Sequence, residues 1–308
     1  TDSRFLVIRL RAVPAGATDL SGADPLPIPF HVIGSDQGLA GAAMQMDTLV
    51  CEPGSRYDLV IDFSGLDGQR IIMENIGGDA PFGGDFGDAL GPADYFENRQ
   101  TDRIMAFDVN QPLSAVQDDF DPDNIGTYAG NGNELTHPAR KVALFEGLDE
   151  YGRLQPLLGA EVDGEFKALP WHEATTENPA MGATEIWEIY NFTGDAHPVH
   201  LHLVNFEILG RQELSFDEGL TPQVIHQHNG AMGMAPSIEN VVLGARIDLG
   251  PSDGYAENAP KDMVTALPEQ VTRIKATFDK SGRYVWHCHI LSHEDHEMMR
   301  VMHVGSGA

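Results

Sequence analysis

Basic residues are scarce in this chain of 308 residues: 19 lysines and arginines stand against 47 aspartates and glutamates, a formal net charge of −28. Phosphate backbones are held by cations, so nucleic acid is excluded as a partner, and the acidity serves solubility or the attraction of cations. No apolar run is long enough to span a bilayer, so no membrane span is expected. Cysteine is nearly absent, with only Cys51 and Cys288, which leaves no disulfide framework within the chain if either thiol binds a metal. Helical periodicity is also lacking. What is present instead is alternation: in 56–63, Tyr57, Leu59, Ile61 and Phe63 alternate with Asp58, Val60 and Asp62, and in 271–279, Ile274, Ala276 and Phe278 alternate with Arg273, Lys275 and Thr277. Short alternating runs separated by abundant glycine and proline predict β-sandwiches of Greek-key type.

Length allows about two domains. The stretch 111–138 mixes acidic residues with Pro, Gly and Asn without periodicity and reads as a linker between a unit over 1–110 and one over 139–308. A second irregular region is expected over 216–266, including HQHNGAMGMAP (226–236) as an inserted loop. His226 and His228 there read first as surface residues. Cys51, at a strand end, reads as a buried thiol.

The chemistry concentrates in two segments, HPVHLH (197–202) and YVWHCHILSHEDHEMMRV (284–301). Arg283–His289 reads as a strand, so His287 and His289 face one way and Cys288 the other. A thiolate, two imidazoles and a weak thioether form the ligand set of a blue-copper site, and Cys288, His293 and Met298 follow one another at intervals of five. His197 supplies the second imidazole, on the expectation that Pro198 breaks its strand and releases it from the alternation shared by His200 and His202. His200, His202, His287 and His289 remain as a second group suited to further copper. A lone histidine is more often a satisfied core or surface group. Eight candidates at consistent spacing in two short segments outweigh that reading, whereas His31, His137, His172, His296 and His303 have no partner at ligand spacing and are expected to be structural or exposed.

These segments resemble the carboxy-terminal copper signature of the multicopper oxidases, and within them the bacterial spore-coat laccases and bilirubin oxidases. The resemblance extends to FHVIGSDQGL (30–39), RYDLVIDFS (56–64), DEYGRLQPLL (149–158) and TEIWEIYNF (184–192). It implies an all-β chain of cupredoxin-like Greek-key sandwiches: an incomplete middle domain over 1–110 and a carboxy-terminal domain over 139–308. It further implies that His197, Cys288, His293 and Met298 hold type 1 copper, that His200 ligates type 2 copper, and that His202, His287 and His289 ligate the type 3 pair. Glu294 matches a carboxylate used in proton delivery. The implied reaction couples one-electron oxidation of phenols, aromatic amines, pigments or metal ions to the reduction of dioxygen to water, outside the cytoplasm. Such a cluster needs four further histidines from an amino-terminal domain. The chain opens on TDSRFLVIRL, so that domain is expected on a lost segment or another polypeptide. The competing expectation is an electron-transfer or copper-binding protein in which only the type 1 site works.

Overall fold

The run Val142–Phe145 is apolar at every position, which suits a strand covered on both faces rather than one. In a computed structural model, which describes residues 2–116, 118–130, 135–226 and 230–305, that is where it lies. Val142 and Leu144 enter one core and Ala143 and Phe145 another, on opposite faces of the same strand.

Two compact units are formed. The first comprises the described residues of 4–130 with 249–260. Its strands are β1 (Leu6–Pro14), β2 (Phe30–Ser35), β3 (Gly38–Met46), β4 (Thr48–Cys51), β5 (Tyr57–Val60), β6 (Gln69–Asn75) and β7 (Arg103–Asp108). They make a four-stranded sheet, β4-β1-β6-β7, and a three-stranded sheet, β3-β2-β5. Ile8 and Leu10 from one sheet and Phe30 and Val32 from the other share a core, against which Tyr57, Leu59, Ile61 and Phe63 pack, as their alternation predicts. Cys51 is half-buried at the edge of this core rather than enclosed by it. Residues 122–126 run along β3, where the Ala43 amide donates to the Pro122 carbonyl (2.7 Å) and the Ile125 amide to that of Gly41 (3.1 Å). Gly41 is required there, since a Cβ would stand 2.2 Å from the Tyr128 carbonyl oxygen.

The second unit comprises the described residues of 1–3, 131–248 and 261–308. Its strands are β8 (Ala139–Leu148), β9 (Leu154–Val162), β10 (Glu165–Ala168), β11 (Thr184–Asn191), β12 (His197–Leu201), β13 (Phe206–His226), β14 (Ala231–Ile247), β15 (Met263–Ala266), β16 (Gln270–Thr277), β17 (Gly282–Cys288) and β18 (Met299–Val304), with one helical turn, α1 (Leu291–Glu294). Seven strands close in the order β10-β14-β13-β16-β11-β8-β9, and a separate sheet runs β15-β12-β17-β18. The core between them joins Val142, Leu144, Trp187 and Ile274 to Val199, Trp286, Cys288 and Met302. Ile274, Ala276 and Phe278 are buried as expected. Two of their polar neighbours are largely covered and paired, Arg273 with Glu188 at 2.7 Å and Lys275 with Glu207 at 3.0 Å, whereas Thr277 is exposed.

The irregular region expected over 216–266 is instead a long hairpin of β13 and β14, followed by a 3₁₀ turn at Pro251–Asp253 and by β15. Three register shifts, between Gln212 and Leu214, Ser215 and Asp217, and Val224 and His226, explain why no alternation shows. Each bulge inverts the inward and outward parity of the strand residues beyond it. The side chain of His226, and His228 as a whole, lie outside the described residues. Among the described residues no helix is long and apolar enough to cross a membrane.

One ion pair is wholly enclosed. Arg300 donates to both carboxylate oxygens of Glu177 (2.9 and 3.1 Å) and to the carbonyls of Leu169, Pro170 and Ala174, tying segment 169–177 to β18. Glu177→Gln leaves the buried guanidinium with neutral acceptors only, the three carbonyls and one amide oxygen, and no counter-charge, and a loss of about 3 kcal/mol is expected in urea unfolding. An unchanged midpoint would contradict this account of the segment.

Candidate metal centre

The site is set by the register of two strands. Antiparallel pairing of β12 with β17 places Val199 opposite Cys288, His200 opposite His287 and Leu201 opposite Trp286. Cys288 and Val199 therefore face the apolar core, and His200 and His287 share the other face. His197 is an odd number of residues from His200 and so falls on the core side by alternation alone. Pro198 does not break the strand, as the sequence suggested: β12 runs through it, with Pro198 paired to Thr265 of β15. Proline is tolerated there because its carbonyl still accepts, taking the His289 amide at 2.6 Å.

On the core side, His197 Nδ1 lies 3.7 Å from Cys288 Sγ and 3.3 Å from His293 Nδ1, which is 4.0 Å from Cys288 Sγ. A first-row metal ion held trigonally, at about 2.0 Å from each nitrogen and about 2.3 Å from sulfur, separates its donors by about 3.5 to 3.7 Å. The three side chains fit such an ion. Their tautomers fit as well. Thr193 Oγ1 donates to Asn191 Oδ1 (2.8 Å), so it accepts from His197 Nε2–H (2.8 Å) and leaves Nδ1 free to bind. Neither Thr193 nor Asn191 stood out in the sequence, where NFT (191–193) looks like an ordinary strand end. The ligand loop is tied by its backbone, the Cys288 amide donating to the Met298 carbonyl (3.0 Å) and the Met298 amide to that of His293 (2.9 Å). The Met298 side chain is buried in the same core as Cys288. Two non-glycine residues have left-handed backbones beside candidate ligands, Leu203 (φ 80°) after His202 and Glu297 (φ 89°) before Met298. Such strain persists only where surrounding structure holds it.

On the opposite face, ligand nitrogens of His200, His202 and His287 lie within 4.8 Å of one another. Nε2 of His202 and Nε2 of His287 are 3.2 Å apart. The fourth histidine, His289, is exposed, its ring centroid 5.6 Å from that of His287 and 6.0 Å from that of His200. Backbone acceptors orient two of the rings: His200 Nδ1–H donates to the Asp262 carbonyl (2.9 Å), and His287 Nδ1–H to the Cys288 carbonyl (3.0 Å). Glu294 Oε2 also stands 3.2 Å from His287 Nδ1. These arrangements leave Nε2 facing the cluster, and imidazole groups of this kind suit copper. Among the described residues, His31, His137, His172, His296 and His303 join no such group.

Burial decides protonation in the metal-free chain. It depresses His197 to about 3 and His287 to about 4, and pushes the Cys288 thiol far above its ordinary value. These two imidazoles are thus already in their metal-binding form, whereas the thiol must give up its proton to a cation.

The comparisons with known proteins decide the family. A model of the multicopper oxidases matches residues 155–308. The chain belongs to the multicopper oxidase family. It is 36% identical over 277 residues to a laccase of Bacillus subtilis, covering 89% of this chain and 46% of that protein. It is 30% identical over 258 residues to a laccase of Haloferax volcanii, covering 82% of this chain and 34% of that protein. The chain thus spans less than half the length of these relatives. In fold it resembles the McoA multicopper oxidase of Aquifex aeolicus (TM-score 0.62, 17% identity, 99% of this chain and 53% of that one). It also resembles a multi-copper oxidase of Pediococcus acidilactici (TM-score 0.59, 22% identity, 98% and 46%). The expected all-β, cupredoxin-like fold is borne out.

The depressed His287 carries a sign. Below about 6.5 the unfolded chain takes up a proton that the folded ring refuses, so this group's contribution to stability falls as pH drops toward about 4. Burial raises Glu146 to about 7, which acts in the opposite direction, so the histidine is isolated by difference. Between pH 7.5 and 5, the metal-free chain is expected to lose stability relative to a His287→Gln variant in urea unfolding. Parallel pH profiles for the two proteins would overturn the assignment.

Proposed function

We propose that this chain is the copper-relay portion of a laccase-like oxidase that couples one-electron oxidation of a reductant to the reduction of dioxygen to water. One observation carries the reading. Cys288 belongs to the first donor set and His287, bonded to it on one side, to the second, while His289 on the other side has its ring centroid 5.6 Å from that of His287. The two sets are therefore joined through a few covalent bonds.

On this reading His197, Cys288, His293 and the thioether of Met298 hold type 1 copper, His200 holds type 2 copper, and His202, His287 and His289 hold the type 3 pair. When bound, copper supplies one-electron redox chemistry at the first set and the place for oxygen reduction at the second. The chain's own residues do the rest. Val199 pairs with Cys288, and the core that they share with Trp286 and Met302 keeps the sulfur from water. His293 is only partly buried, and a phenol, aromatic amine, pigment or metal ion that donates an electron there needs proximity and no dedicated pocket. Glu294, its Oε2 3.2 Å from His287 Nδ1, sets a carboxylate beside the second set as its proton relay.

The second set offers four imidazoles, and we propose that four more come from an amino-terminal domain, on the same or another polypeptide. Residues 1–110 then form most of a middle cupredoxin-like domain, 111–138 a connection whose first part folds with it, and 139–308 the carboxy-terminal domain apart from 249–260, which belong to the first unit, in an extracytoplasmic protein. The comparisons favour this oxidase over a stand-alone electron-transfer protein.

Copper content and oxygen uptake test the proposal. The assembled protein is expected to hold roughly four coppers with turnover, and Cys288→Ser to lose the blue absorption and the uptake together. Roughly one copper, blue colour and no uptake from the assembled protein would instead support electron transfer alone. Glu294→Gln is expected to keep copper and colour but slow oxygen uptake by roughly a hundredfold, the scale of a lost proton-transfer group. Unchanged uptake would remove Glu294 from that role.

A further inference from the structure

The helical turn that carries His293 lacks a local cap. Its N-cap position is Ile290, whose side chain can accept nothing, and no side-chain cap bond is made there. The first amides of a helix have no partner inside it, and they are ordinarily taken by a Ser, Thr, Asp or Asn at the cap. Here His293 and Glu294 return their amides to the Ile290 carbonyl (3.0 and 2.8 Å), which leaves Ser292 to be satisfied from elsewhere.

Asp2 does so. Its Oδ1 accepts the Ser292 amide (2.9 Å) and its Oδ2 accepts the Ser292 hydroxyl (2.6 Å), so both carboxylate oxygens engage one residue 290 positions away. Asp2 lies in the same compact unit as the ligands. Ser292 adjoins His293, whose Nδ1 must stay 4.0 Å from Cys288 Sγ and 3.3 Å from His197 Nδ1 for the donor set to close. A charge-assisted two-point contact beside a ligand does two things. It holds the turn in register, and it brings a negative charge close to the ring.

We infer that Asp2 is a positioning residue for the type 1 site, capping the His293 turn through Ser292 and using its charge to favour the more oxidised metal. The copper part of this inference rests on the function proposed above, whereas the capping part does not. Because Asp2 is exposed, its charge acts through solvent and its effect is screened by salt. A purely structural contact would show no such dependence.

Two variants of the full chain separate the roles. Asp2→Asn keeps an acceptor and a donor but removes the charge. Asp2→Ala removes everything. Amide hydrogen exchange of the metal-free proteins reads the cap: exchange at Ser292 is expected to quicken about tenfold in Asp2→Ala and about twofold or less in Asp2→Asn. A redox titration of the blue absorption in the copper-loaded proteins reads the charge. In Asp2→Asn the preference for Cu(II) is expected to weaken about threefold at low salt, or about 30 mV at 59 mV per tenfold, and the difference to shrink in 1 M salt, a concentration at which the Debye length is about 3 Å. Unchanged Ser292 exchange in Asp2→Ala overturns the inference. So does an unchanged potential in Asp2→Asn, or a shift indifferent to salt. If the wild-type chain takes up no copper, the proposed function fails there, and the exchange experiment still decides the cap.

Discussion

The alternation of β17 is the constraint on which the rest depends. A strand must send successive side chains to opposite faces, so HCH cannot direct its three side chains to one metal. Cys288 goes to the apolar core and His287 and His289 go outward. Pairing with β12 then brings His197 to the thiol and His200 and His202 to the outer rings. A slip of one residue in that pairing would exchange the two faces and dismantle both donor sets together, which is why the buried pairs Val199–Cys288 and Leu201–Trp286 matter for chemistry as well as packing.

Enclosure has a second consequence. A dry core keeps His197 neutral and Cys288 protonated, so the first donor set is assembled before any cation arrives. Its geometry is then maintained by groups that are not ligands. Thr193 and Asn191 set the tautomer of His197, backbone bonds through Met298 and His293 close the loop, and Asp2 caps its helical turn. The outer set is oriented by backbone carbonyls of Asp262 and Cys288 and stays open toward His289.

Much of the site was legible because its spacing is local. Cys288, His293 and Met298 sit in one short loop, and parity alone separates Cys288 from its neighbours. Parity also places His197, although Pro198 suggested a broken strand. The proline was accommodated because β12 needs its carbonyl, not its missing amide. The hairpin of β13 and β14 was illegible for the converse reason: three bulges reset its parity, so two long strands present no repeating pattern. Thr193 and Asp2 left no mark either, since a hydroxyl and a carboxylate acquire meaning only from what folds against them.

By itself the sequence determined the donor types, their order along two segments, and the opposite facing of Cys288 and its flanking histidines, because these come from covalent spacing and the pleat of a strand. Only the tertiary structure decided that His197 and His293 meet at 3.3 Å, which ring nitrogens remain free, and which remote residues hold them there. The meeting of His197 and His293 depends on strand register and burial, set by contacts between residues tens to hundreds of positions apart, whereas the free nitrogens follow from hydrogen bonds that form only once the chain has folded.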